Sequence, residues 1–221
     1  MEIGHLEASR RPSPAMRVAL AWAGGLGSVL ALDALLDAGH DVTLVNVVDA
    51  ASRRDPARGA PDFLLDAQMA LTGARFAQTR FDGGVQAKSR EPPAFAPVVA
   101  LAARASGAEA LAVGGALDGA WTRAAHAAGL EPLAPVAGLD AASALARARE
   151  RGHRAFTVAV AQRADAARLG RFVDETDGAP RAGDRTLVVA SPRFARRLDV
   201  AAGEAREHGD GMALDVTLRG C

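Results

Sequence analysis

The residues of this chain that could do chemistry begin with a glycine turn near its N-terminus. Gly24, Gly25, Gly27 and Ser28 follow a short apolar run and precede a segment rich in alanine and leucine. The backbone N–H groups of such a turn, at the start of a helix, can bind an anion because the helix dipole favours negative charge there. The pattern therefore predicts a phosphate site, although a tight strand-to-helix connection without a ligand has the same local sequence.

A second pair of glycines, Gly114 and Gly115, follows another apolar run, and Asp118 comes shortly after it. In parallel α/β sheets, ligands lie beyond the carboxyl ends of the strands, where the strand order reverses. The turns at 24–28 and 114–118 are therefore predicted to line one crevice.

The elements that would position these turns are a strand over Arg17–Trp22, a helix over Val29–Ala38 and a strand over Val42–Val48. The helix carries apolar residues at helical spacing and stops at a glycine, and the second strand is β-branched and nearly continuous. The same alternation continues through helices at 63–71, 95–105 and 121–128 and strands at 75–81 and 108–113. It predicts an α/β fold with a doubly wound, mainly parallel sheet.

After Gly129 the pattern changes to one amphipathic helix, Asp140–Arg151, and short strands at 155–160, 184–189 and 194–200. These elements predict a smaller C-terminal α+β domain. The predicted organisation is a frayed tail at 1–15, with Met16 as a candidate alternative start, a nucleotide-binding-type domain at 16–135 and a substrate-type domain at 136–221.

Composition narrows the function classes. The 221 residues include 26 basic and 26 acidic ones, so no basic excess indicates a nucleic-acid partner. No apolar run is long enough to span a membrane, and the first fifteen residues lack the apolar core of a signal peptide. The single cysteine, Cys221, allows no disulfide within one chain, which predicts a reducing, cytoplasmic location.

The turn W-A-G-G-L-G-S, its alanine- and leucine-rich helix and the following G-H-x-V resemble the PP-loop region of the N-type ATP pyrophosphatases. The loop of that family reads W-S-G-G-K-D-S, and the resemblance is closest to the diphthine–ammonia ligase-like branch. Ala23, Leu26 and Gly27 stand where the family has its first serine, its lysine and its aspartate. The glycine frame is kept, and the charged positions are lost.

Three further segments carry the resemblance toward the C-terminus. They are L-E-P-L-A-P-V-A-G-L-D, similar to the family linker, R-L-G-R-F-V-D, and the segment that ends at Thr186. The last resembles a substrate motif whose cysteine, two glutamates and histidine are absent here. The resemblance, from about Arg17 to Leu218, implies an adenine nucleotide alpha hydrolase-like fold with ATP or AMP as ligand, and Mg²⁺ if the protein is active.

The resemblance also implies site residues. Family ligases adenylate a carboxylate with release of pyrophosphate, and ammonia then displaces AMP to form an amide. The implied nucleotide-binding residues are Gly24, Gly25, Gly27, Ser28, Gly114 and Gly115. The implied substrate-binding residues are Arg58, Asp118, Arg123, Arg171 and Thr186. No catalytic residue and no metal ligand are assigned, and His153 has no acidic partner at metal-ligand spacing.

Three functions remain open from the sequence. The first is a divergent family member that binds a nucleotide with impaired or repurposed adenylation chemistry, because the loop lysine and aspartate are missing. The second is an active ligase that forms an amide on a small carboxylate or a protein side chain. The third is a metabolite-binding or scaffold protein that has lost nucleotide altogether. Each is compatible with a homo-oligomer.

Overall fold

The computed structural model describes residues 14–56, 59–82, 94–174, 181, 183–208 and 211–219. Its first part is a five-stranded sheet in the order β3-β2-β1-β4-β5, and every neighbouring pair is parallel. The elements in chain order are β1 (Arg17–Ala21), α1 (Leu26–Asp37), β2 (Asp41–Asp49), α2 (Asp62–Thr72), β3 (Arg75–Phe81), α3 (Ala96–Ala105), β4 (Ala110–Val113), α4 (Gly119–Ala127) and β5 (Glu131–Leu133). The strand order reverses between β1 and β4.

Helices cover both faces of this sheet. Alternate residues of β1 point to opposite faces, so Leu20 packs in the apolar cluster of α1 and Ala19 in that of α3 and α4. Strands β1, β2 and β4 are buried on both sides, which explains their continuous apolar sequence. The predicted doubly wound α/β sheet is confirmed.

The second part is a four-stranded antiparallel sheet in the order β7-β6-β9-β8. Its elements are α5 (Ala141–Glu150), β6 (Arg154–Val160), a short 3₁₀ helix (Arg163–Arg168), β7 (Arg185–Ala190), β8 (Val200–His208) and β9 (Gly211–Leu218). The smaller C-terminal α+β part is therefore also as predicted. The strand expected at 194–200 is wrong: residues 191–199 form a turn, closed by the bond from Phe194 N to Ser191 O, and irregular backbone, and β8 begins only at Val200.

The antiparallel sheet packs against α1 and α2. Phe156 of β6 and Leu187 of β7 share a cluster with Leu64 of α2, and Val188 of β7 belongs to the cluster of α1. The predicted boundary at 135/136 falls between β5 and α5 and stays a prediction, and most of the predicted tail lies outside the described residues. No helix in the described ranges is long and apolar enough to cross a membrane.

Candidate functional site

The glycine turn connects β1 to α1 and is buried. Gly24 has a φ of +73°, a conformation that glycine adopts without a steric penalty. Its carbonyl oxygen accepts hydrogen bonds from the backbone N–H of Val188, at 2.9 Å, and from Nε2 of Gln68, at 3.1 Å. A Cβ at this position would lie 2.3 Å from Oε1 of Gln68. The turn is thus held by α2 on one side and by β7 on the other.

Two hydroxyl groups accept hydrogen bonds from backbone amides, one in the glycine turn and one at the first residue of α1. The N–H of Leu26 donates to Oγ1 of Thr186, at 3.1 Å, and the N–H of Ala23 donates to Oγ of Ser28, at 3.2 Å. The first amides of a helix have no partner within the helix and are the groups that bind anions in phosphate turns. Here one of them is bonded to a strand of the C-terminal sheet.

The second glycine turn lies directly against the first. Strands β1 and β4 are neighbours, so their carboxyl ends meet at the same edge of the sheet. A Cβ on Gly27 would lie 2.0 Å from the carbonyl oxygen of Gly114, and a Cβ on Gly114 would lie 2.5 Å from the carbonyl carbon of Gly27. The two backbones therefore touch, whereas a Cβ on Gly115 would meet nothing within 4 Å.

Of the predicted substrate residues, Thr186 alone is seen to contact the glycine turn, and Arg58 lies outside the described residues. Asp118 is the N-cap of α4, where its carboxylate accepts from the N–H groups of Ala120 and Trp121. Arg123 is exposed on α4, and Arg171 is exposed in the segment after the 3₁₀ helix. The substrate roles of these residues stay predictions.

Three buried polar atoms beside the turn have no hydrogen-bond partner within the described part of the chain. They are Nε1 of Trp22, Oδ1 of Asn46 and Oε1 of Gln68. The amide of Asn46 is oriented by its bond to Trp22 O, and that of Gln68 by its bonds to the carbonyls of Gly24 and Val188. These atoms, which lie just after β1, on β2 and on α2, keep hydrogen-bonding capacity beside the glycine turn.

A buried polar cluster that the sequence analysis missed joins the middle of α1 to the C-terminal part. Nε2 of His153 lies 2.7 Å from Oδ2 of Asp33, and Nδ1 of His153 lies 3.0 Å from Oγ of Ser191. The guanidinium of Arg193 donates through Nε to the other oxygen of Asp33, at 2.7 Å. Burial raises the pKa of Asp33, but the hydrogen bonds from His153 and Arg193 outweigh burial and hold that pKa below its ordinary value.

These residue types are those of a nucleophile activated by a histidine and a carboxylate, yet the arrangement is a structural joint. His153 is buried at 5% exposure, and Oγ of Ser191 already accepts the N–H of Arg193 at 3.0 Å. Exposed salt bridges from Arg151 and Arg193 to Asp37 extend the joint along α1. The signal in the sequence was a lone aspartate within the apolar helix V-L-A-L-D-A-L-L, but its partner lies 120 positions away.

Comparisons with known proteins add a structural likeness. No family model matches the chain, and no curated protein matches it. Among solved structures, the chain is similar to a predicted subunit of a tRNA methyltransferase from Methanocaldococcus jannaschii, with 15% sequence identity and a TM-score of 0.45. The similarity covers 66% of this chain and 77% of that one.

Proposed function

We propose that this protein is a catalytically silent relative of the PP-loop ATP pyrophosphatases and works as a binding or scaffold protein. The observation that carries the proposal is the hydroxyl of Thr186 on the N–H of Leu26, the position where a phosphate turn binds its anion. In this view the turn has become an internal joint that fixes the C-terminal sheet to α1.

The chemistry of the turn supports the same proposal. Adenylation needs positive charge against the phosphates, because charge develops on their oxygens in the transition state. Leu26, where the family has its lysine, is an apolar side chain at 6% exposure. Gly27, where the family has its aspartate, packs so closely on Gly114 that a side chain there must displace backbone. The lysine and the aspartate of the family loop are absent from this turn, and the space for the aspartate side chain is filled.

A nucleotide-binding protein is the second candidate, and the unpaired atoms of Trp22, Asn46 and Gln68 favour it. A ligand with both donors and acceptors, such as the base of ATP or AMP, would satisfy groups that are costly to leave unpaired, and it would first need a local opening, because the three side chains are at most 2% exposed. Its phosphates, with or without Mg²⁺, would have to displace Thr186 from the N–H of Leu26.

The test is calorimetric titration of ATP and of AMP, with and without Mg²⁺, into the full-length protein. We expect no saturable heat at millimolar nucleotide and no pyrophosphate release in the presence of ammonia and small carboxylates. Micromolar affinity, which is about 8 kcal/mol of binding free energy, would overturn the proposal in favour of the second candidate.

The variants Thr186→Val and Thr186→Ser refine the test. Valine removes the acceptor of the Leu26 amide at nearly constant volume, whereas serine keeps a hydroxyl. If the valine variant binds ATP and the serine variant does not, the contact blocks a competent nucleotide site rather than replacing a lost one. Circular dichroism on both variants establishes that each is folded.

A further inference from the structure

Helices α3 and α4 form a groove on the face of the parallel sheet away from the antiparallel sheet. The apolar cluster beneath them, among the described residues, contains no member after Leu130, whereas the C-terminal sheet packs on α1 and α2. The groove has a volume of about 470 Å³, and its walls include Pro97, Leu101, Ala120, Arg123, Ala124 and Ala127. It is separate from the glycine turn.

Apolar side chains line most of the groove. Leu101 is 65% exposed, the highest value among the exposed large hydrophobic side chains of the described residues. A single exposed leucine is ordinary, but this one stands beside a proline and faces the alanines of the neighbouring helix. The short alanine side chains leave the groove open above the backbone of α4, so an apolar chain laid along it would contact both helices.

The polar feature of the groove is one cation. Arg123 is the charged residue in its walls, and within the described ranges it has no ion pair and no hydrogen-bond partner. Its guanidinium lies near Gly119, since Nη1 would be 2.9 Å from a Cβ there, at the N-terminal end of α4. The helix dipole adds positive potential at that end, and the carboxylate of Asp118 is already engaged by two backbone amides.

We propose that this groove binds a linear aliphatic carboxylate, with its carboxylate on Arg123 and its chain between Leu101 and Ala124. The volume lies within the range of about 300–1,000 Å³ that small-molecule sites occupy. One unpaired cation matches one carboxylate, and the apolar walls match an unbranched chain rather than a polar metabolite. This proposal does not depend on the state of the glycine turn, so either can fail alone.

The experiment titrates octanoate into the full-length, ¹⁵N-labelled protein and follows binding by calorimetry and by NMR. The two indole N–H signals report on different places: Trp121 is on α4 next to the groove, and Trp22 is buried beside the glycine turn. We expect saturable binding that shifts the Trp121 signal and leaves the Trp22 signal in place. Octanol, which has the chain without the charge, should bind at least tenfold more weakly.

Variants test the two halves of the site. Arg123→Gln should weaken octanoate binding at least tenfold, and Arg123→Lys should retain it within a fewfold. Arg104→Gln removes an exposed arginine of α3 that does not line the groove, so it should bind octanoate as the unchanged protein does.

Four results of these binding experiments would overturn the proposal. They are the absence of saturable binding, a shift of Trp22 rather than Trp121, equal losses in the Arg123→Gln and Arg104→Gln variants, and equal affinity for octanol. Sedimentation that shows dimers dissociated by Leu101→Asp would also overturn it, because a second copy of the chain would then occupy the groove.

Discussion

At Gly27 a single hydrogen stands where any other residue would place a Cβ 2.0 Å from the carbonyl oxygen of Gly114. We expect Gly27→Ala to lower the free energy of unfolding by about 1–3 kcal/mol, the usual cost of overpacking. The sign is informative, because glycine-to-alanine changes within a helix otherwise stabilise by about 1 kcal/mol. Urea unfolding at neutral pH measures the difference.

Gly115→Ala is the matched control, since a Cβ there meets nothing within 4 Å and its backbone is not left-handed. Its free energy of unfolding should change by less than about 0.5 kcal/mol. If the two variants were equally stable, the close packing of the two glycine turns would be refuted, and with it part of the support for a filled phosphate position.

Individual residues also show what a sequence pattern can predict and what it cannot. The turn over Gly24–Ser28 was visible as a break between two apolar patterns, because glycine and helical spacing are local signals. The contact of Leu26 with Thr186 was not visible in the sequence, because it joins residues 160 positions apart. It also uses a backbone N–H, which every residue type except proline has. Whether the N–H groups of such a turn are free to bind an anion or already bonded within the protein therefore depends on tertiary contacts.

At the scale of elements, strand β7 and the turn after it run along α1 and contact it at several points. Val188 and Thr186 bond its N-terminal turn, and Arg193 bonds Asp33 and Asp37 farther along the helix. Asp33 is at the centre of this seam, because three groups depend on its carboxylate and its side chain is only 6% exposed.

We expect Asp33→Asn to destabilise the fold by about 3–5 kcal/mol, because it leaves the buried imidazole of His153 and the half-buried guanidinium of Arg193 without their carboxylate. Asp37→Asn is the control on the same helix, with the same arginine partners but a side chain that is 41% exposed. That change should cost at most about 1 kcal/mol, as for other exposed ion pairs. Similar losses of unfolding free energy in the two variants would mean that the burial of Asp33 adds nothing to the stability of its contacts.

Comparing the unchanged protein with Asp33→Asn also tests how the free energy of unfolding depends on pH. Because the folded-state pKa of Asp33 is below its ordinary value of 3.8, its contribution is complete above that value and is lost as pH falls through the lowered pKa. The stability difference between the unchanged protein and Asp33→Asn should therefore narrow as pH falls below 3.8. Urea unfolding of both proteins across this range measures it, and a constant difference down to the lowest pH would exclude a lowered pKa.

The elements with the clearest local sequence patterns were the ones that could be predicted. Strand β1 and helix α1 were predicted because their apolar runs end at glycines, and β2 because its β-branched sequence is nearly continuous. Strand β5 has three residues and contains Pro132, so no periodicity marks it. The expected strand at 194–200 failed because Ser191 closes a turn with Phe194, and apolar residues in turns can have the spacing of a strand.

At the scale of the whole molecule, the two predicted domains share one apolar core. The cluster that contains Leu20 of β1 and Leu30 of α1 also contains Leu145 of α5, Ala155 of β6 and Val188 of β7. Removing either part would expose apolar surface of the other, and apolar burial is the main favourable term in folding. The shared core and the seam on α1 favour a single folding unit over two independent ones.

We therefore expect the full-length chain to unfold in one transition, with no populated intermediate in which only one sheet is lost. Trp22 and Trp121 report on the parallel sheet and its helices, whereas far-UV circular dichroism reports on both sheets. The two signals should give the same midpoint and the same slope in urea, the standard sign of two-state unfolding. A circular dichroism transition that begins at lower urea than the tryptophan transition would show that the antiparallel sheet can leave α1 while the parallel sheet stays folded. The N–H of Leu26 would then be released from Thr186 in the intermediate, and the glycine turn would become accessible to an anion without global unfolding.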